Sequence, residues 1–157
     1  MKVVRHILSL MIFFMFGSCS TEPVESVATL TAVSAPDVEK ELLDIVNMHR
    51  VSSGVQALTF SATAYEYASA HTDYMISRGS ISHDNFNSRA EDLTAEVHAS
   101  EVSENVAKDY DSAVEAFTNW MNSPSHRKAI EGQFTHTAVS IKKDAEGNFY
   151  FTQLFYR

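Results

Sequence analysis

The chain lacks the residues on which several fold classes depend. It has one cysteine, Cys19, in 157 residues, which excludes a disulfide framework and any metal site built on two or more thiolates. Five glycines and three prolines are too few for a collagen-like or low-complexity chain. No basic run is present, and 12 lysines and arginines stand against 20 aspartates and glutamates, a formal charge of -8. Neutralising phosphate and adhering to an anionic lipid surface both need positive charge, so nucleic acid and bare head groups are excluded as partners. No internal repeat is visible. The remainder, 45% hydrophobic and 20% charged, is the composition of one globular domain with one core.

The amino terminus reads as an address. Lys2 and Arg5 precede an apolar stretch over residues 7–16, followed by Gly17, Ser18 and Cys19. Such a stretch spans about 15 Å as a helix, half of a hydrocarbon core of about 30 Å. Residues 1–18 are therefore expected to be an export signal rather than a membrane span. The end of this stretch, Phe16-Gly17-Ser18-Cys19, resembles the lipobox of bacterial lipoproteins. That resemblance implies that Cys19 becomes the lipidated first residue of the mature chain. The protein is then exported and held at the bacterial cell envelope, periplasmic or surface-exposed, with the membrane touched through the anchor alone. Residues 19–36, rich in Ser, Thr, Ala and Pro without helical period, read as a flexible tether. The alternative is an edge strand over residues 27–33, whose β-branched content allows it.

From residue 37 to 157 the pattern is that of a folded domain. Val38, Leu42, Ile45, Val46 and His49 fall at helical spacing, with Asp37 and Glu39 in the first turn and Gly54 as the stop. A second helix is expected over residues 61–78, with Ala64, Ala68, His71 and Met75 on one face and Gly79 ending it. A third is expected over residues 111–121, presenting Val114, Phe117, Trp120 and Met121. Residues 134–141 and 149–155 are rich in β-branched and aromatic residues and flank the turn-forming Asp144-Ala145-Glu146-Gly147-Asn148, so they read as a β-hairpin. Helices first and a hairpin last predict an α+β fold with helices on an antiparallel sheet.

Four ordered segments carry a resemblance: Ser82-His83-Asp84; Ser103-Glu104-Asn105-Val106-Ala107; Trp120-Met121-Asn122-Ser123-Pro124-Ser125-His126-Arg127; and Phe134-Thr135-His136 leading to Phe151-Thr152-Gln153-Leu154-Phe155. Together with Asn47 and Arg50 they are similar to the CAP superfamily, also called SCP-like or PR-1-like proteins, in its bacterial secreted branch. The resemblance covers residues 39–157. It implies a three-layer α-β-α sandwich and a cleft in which two histidines and two glutamates gather, binding a divalent cation in some members. By motif, His83 is the first histidine, Glu104 the first glutamate and His126 the second histidine. The second glutamate does not transfer, since Ser123 stands at its position. Three relatives' glycines are also replaced, by Ser103, Ser125 and Ala138.

Two neutral imidazoles and one carboxylate, completed by water, are a ligand set that zinc accepts. The competing readings are structural: His83 as a turn residue, Glu104 as a capping or buried carboxylate, His126 as a helix residue behind Ser123 and Pro124. His136 is expected either in the cleft or supporting a cleft carboxylate. His49, His71 and His98 have weaker claims, and His71 reads as a satisfied core residue. The chain has no Gly-x-Ser-x-Gly elbow and no His-Glu-x-x-His pair, so hydrolysis would have to use water activated at His83, Glu104 and His126. The leading expectation is a monomeric binding module whose partner is a lipid, a peptide or a cell-envelope polymer. A metal-dependent, protease-like hydrolase at the same cleft is the alternative.

Overall fold

The computed structural model describes residues 32–157; the segment expected to be an export signal, Cys19 and most of the proposed tether lie outside them. Within the stretch read as tether, Val33–Ser34 forms a short strand, β1, opposite Lys143 and Lys142. The order continues with α1 (Pro36–Ser52), β2 (Thr59–Phe60), α2 (Ala62–Arg78), α3 (Phe86–Val97), β3 (Val102–Lys108), α4 (Ala113–Asn122), α5 (Pro124–Glu131), β4 (His136–Lys143) and β5 (Phe149–Tyr156). The sheet runs β1-β4-β5-β3, antiparallel throughout this path, with β2 added parallel to β4. β3 is therefore an edge strand.

Side-chain alternation along β4 and β5 divides the core into two layers. Ala138 and Leu154 face α2 and α3, where they meet Ala64, Ala68 and Leu93. Val139, Ile141, Phe151 and Phe155 face the other way, onto Leu42, Val46, Ala116 and Trp120 of α1 and α4. Both faces of the central strands are buried, which makes this an α-β-α sandwich. The expected helices and hairpin are present. Ser61 caps α2 by accepting from the Ala64 N–H at 3.2 Å, and Gly79 ends it in the left-handed region at φ 66°.

Three details differ from expectation. Val114 faces solvent at 53% exposure, because α4 begins at Ala113 behind its cap Ser112, and the buried line runs Ala113, Ala116, Trp120. Ser103, Ser125 and Ala138 all avoid the left-handed region. Among the described residues the non-glycine positive φ values belong to Asn85, His98 and Asp109, so losing the relatives' glycines strains nothing here. The third is α3, which was not anticipated.

Asn47 and Arg50 explain their place in the motif. Asn47 exchanges two hydrogen bonds with the main chain of Leu58, at 2.8 and 3.0 Å. Arg50, fully buried, donates to the carbonyls of Gln56, Ile130, Gly132 and Phe134. One side chain thus satisfies the carbonyls at the end of α5 and fixes how that helix turns into β4.

Candidate functional site

The site is built on the edge strand. Successive residues of β3 point to opposite faces, so Glu104 faces the α2–α3 layer while Asn105 faces α5. The Glu104 side chain is 1% exposed, and a buried carboxylate is tolerable only with partners. Both of its oxygens have them. Oε2 accepts from Arg89 Nε at 2.9 Å and from Arg89 Nη2 at 2.6 Å. Oε1 accepts from His83 Nδ1 at 2.9 Å and lies 3.8 Å from His71 Nε2. His71 Nε2 itself donates to the Ser82 carbonyl at 2.8 Å, which pins the loop carrying His83. Arg89 also donates to the Asp84 carbonyl at 3.1 Å. The left-handed residues Gly79 and Asn85 turn the chain at each end of this loop.

His126 comes from the first turn of α5 on the opposite side of β3. Its carbonyl accepts from Asn105 Nδ2 at 3.2 Å, and its ring is tilted against Trp120 at 6.3 Å. Burial holds its pKa below the ordinary imidazole value, and the neighbouring His83 pushes in the same direction. Burial also lowers His71, against the opposing pull of Glu104. Both rings are accordingly neutral at pH 7, while His83 is 54% exposed. With its Nδ1 turned to the carboxylate, His83 presents Nε2 outward.

The three residues read from the motifs thus lie around one edge of the sheet, with His83 and Glu104 in direct contact. His136 does not join them. It opens β4, on the far side of β5 from the site, where it stacks on Tyr156 at 4.8 Å and shares a 2.8 Å hydrogen bond with the Thr135 hydroxyl. Ser123 precedes α5, its hydroxyl 3.2 Å from that of Ser125. His49 bridges α1 to Glu131 at 2.9 Å, and His98 closes α3 in the left-handed region. Sequence reasoning missed Arg89 altogether and gave His71 a weaker claim to the site, reading it first as a satisfied core residue. His71 is core, at 3% exposure, yet it is also the floor of the site.

The model of the cysteine-rich secretory protein family, CAP, matches residues 43–155. This chain belongs to the CAP family. A curated relative, the uncharacterized membrane protein YlbC of Bacillus subtilis, is 30% identical over 123 residues. The match covers 74% of this chain and 34% of the relative, so this chain spans about a third of that protein. Among solved structures, an extracellular SCP-domain protein of Bacillus anthracis aligns with TM-score 0.69 at 23% identity, over 78% of this chain and 41% of that one. An outer surface protein of Borrelia burgdorferi aligns with TM-score 0.73 at 17% identity, over 82% and 98%. These likenesses show the fold. Among the described residues no helix is long and apolar enough to cross a membrane.

Whether this CAP site suits a divalent cation follows from its donor set. A cation needs lone pairs turned toward one point. Here both Glu104 oxygens are taken, His83 Nδ1 and His71 Nε2 each act as proton donors, and a guanidinium already supplies the compensating charge. Among the described residues no three His, Cys, Asp or Glu side chains gather as a metal centre requires. With Arg89 in place, Glu104 and His71 are committed to hydrogen bonds, and the nitrogens left open to a cation are His83 Nε2 and those of the His126 ring.

Proposed function

We propose that this CAP domain is an extracytoplasmic binding module that uses the exposed edge around His83 and His126, and that Cys19 anchors it to the envelope by lipid. The observation that carries the reading is the internal neutralisation of Glu104 by Arg89. A carboxylate held by Arg89 through one oxygen and by His83 through the other positions that imidazole, and at 1% exposure it is shut away from the water it would have to activate. The Glu104–His83 pair resembles the orienting half of a hydrolytic site. Among the described residues no hydroxyl or thiol is hydrogen-bonded to His83 Nε2, so a hydrolase built on this pair would need water as its nucleophile.

The test follows the histidine C–H resonances of His83 and His126 by NMR in EDTA, during titration with a casein digest and with phosphatidylglycerol vesicles. A shift of these resonances with either probe, without new amino termini, is expected. Cleavage that disappears on chelation or in Glu104→Gln would replace the binding module with the hydrolase, and resonances unmoved by both probes would overturn the proposal.

A further inference from the structure

The free edge of β3 remains unused by any interaction described so far. At one end of the strand Glu101 and Arg157 exchange both main-chain hydrogen bonds, at 3.3 and 3.2 Å; at the other the Asp109 N–H donates to the Phe149 carbonyl at 3.1 Å. Hydrogen-bonded pairs alternate along an antiparallel ladder. The odd-numbered residues from 101 to 109 therefore direct their main chain to β5, while Val102, Glu104, Val106 and Lys108 direct theirs away from the sheet. Trp120 corroborates this orientation, since its Nε1 donates to the Val106 carbonyl at 3.3 Å. That bond closes the edge at Val106. Before it, among the described residues, nothing pairs with the outward N–H and C=O of Val102 and Glu104. Glu104 as a whole is 8% exposed while its side chain is 1% exposed, so the part of it that meets solvent is main chain.

Unpaired strand edges attract other strands, and proteins blunt them with lysine, proline or a bulge. The one lysine of β3, Lys108, lies beyond the Trp120 closure and leaves this end unprotected. Beside it, between β3 and α5, Ser103, Ser125, Lys128 and Phe134 line a groove of about 380 Å³. Glu101 at the rim is held by Arg157 at 2.8 Å, which leaves Lys128 as the groove's uncompensated charge in an otherwise acidic chain.

We propose that the free edge of β3 at Val102 and Glu104 takes up an extended peptide as an added strand, with an acidic side chain of the peptide in the groove beside Lys128. Each outward residue offers one donor and one acceptor, so the two make four main-chain hydrogen bonds. Alternate peptide side chains then fall toward His83 on one side and toward the α5 groove on the other. This rests on the reading of the edge around His83 and His126 as a binding site and adds the ligand's chemistry.

Phage-displayed random dodecapeptides selected on the full chain in EDTA test it. The strongest peptide is then synthesised unmodified and with alternate main-chain nitrogens methylated in each of the two phases. Acidic sequences should be enriched, and Lys128→Glu should weaken them. Methylation in one phase should weaken binding roughly tenfold while the other phase has little effect, because only one set of N–H groups faces β3. Amide exchange at Val102 and Glu104 should slow in the complex. Failure to enrich any sequence, or a peptide that tolerates both methylation phases, overturns strand addition. His83→Ala and His126→Ala separate the two readings. Binding that survives both substitutions but fails on methylation keeps the added strand and removes the imidazoles; the converse keeps the imidazoles and removes the strand.

Discussion

Replacing Arg89 by methionine is the sharpest perturbation of the site, because it keeps the stem and deletes the charge. The Glu104 side chain is 1% exposed and the Arg89 side chain 10% exposed, so the carboxylate would lose its counter-charge in a place water does not reach. Breaking a buried pair from one side costs about 3–5 kcal/mol. In a domain of this size that is a fall in melting temperature of roughly 10–20 °C, a large share of a typical stability of about 5–15 kcal/mol. Glu104→Gln is expected to cost less, since the guanidinium it strands has some access to solvent and a hydrogen-bonding isostere remains. The double variant should therefore be more stable than Arg89→Met alone, a coupling that thermal melts at pH 7.5 in EDTA would measure. An Arg89→Met protein within about 1 kcal/mol of the parent would refute the claim that this ion pair holds the site together. Zinc adds a second arm. With the guanidinium gone, the carboxylate between His71 and His83 regains the lone pairs Arg89 held, so zinc should raise the melt of Arg89→Met more than that of the parent. A parent that takes one equivalent of zinc, lost in Glu104→Gln, would show that arginine does not exclude the metal.

Trp120→Ala should destabilise the domain by about 3–5 kcal/mol, since the ring is 1% exposed, packs edge-on against Phe151 and holds the Val106 carbonyl; a melt that barely moves would refute its place in the core. His71 and His126 are held below the ordinary imidazole pKa in the fold, so the unfolded chain takes up protons first as pH falls through about 6.5. Urea melts should accordingly show lower stability at pH 5.5 than at pH 7.5, and equal or higher stability at pH 5.5 would overturn the assignment. Cys19→Ala is expected to release the protein from the membrane fraction, because anchoring that depends on acyl chains goes with them. Mass analysis showing an unmodified mature terminus at another residue would dismiss the anchor.

Most of the architecture was legible because it rests on period and punctuation. α2 carries its own start and stop in Ser61 and Gly79, and β4 and β5 flank a turn whose Asp144 caps the Glu146 and Asn148 amides. α3 escaped for the opposite reason. Its left-handed boundary residues are Asn85 and His98 in place of glycine, no side chain caps it, and Leu93 is its one fully buried residue. The apolar face of α4 was read one position off at Val114, since a short helix offers few turns with which to set the phase.

The site was legible in its ordered motif residues and illegible in the residues that give those motifs their chemistry. His83 and Glu104 belong to motifs that the resemblance places in one cleft, and the structure brings them to 2.9 Å. Arg89 lies on the helix that the sequence reading did not find, so nothing marked it as a partner 15 positions from Glu104. Ser123 was the visible departure, a hydroxyl where the resemblance implies a second carboxylate. The two observations fit one charge balance. Two carboxylates in a cleft carry two negative charges, which a divalent cation neutralises, while one carboxylate carries a single charge, which a guanidinium neutralises with directed hydrogen bonds. With Ser123 at that position, Arg89 matches the charge that Glu104 leaves, and the imidazoles beside it are free to face a ligand.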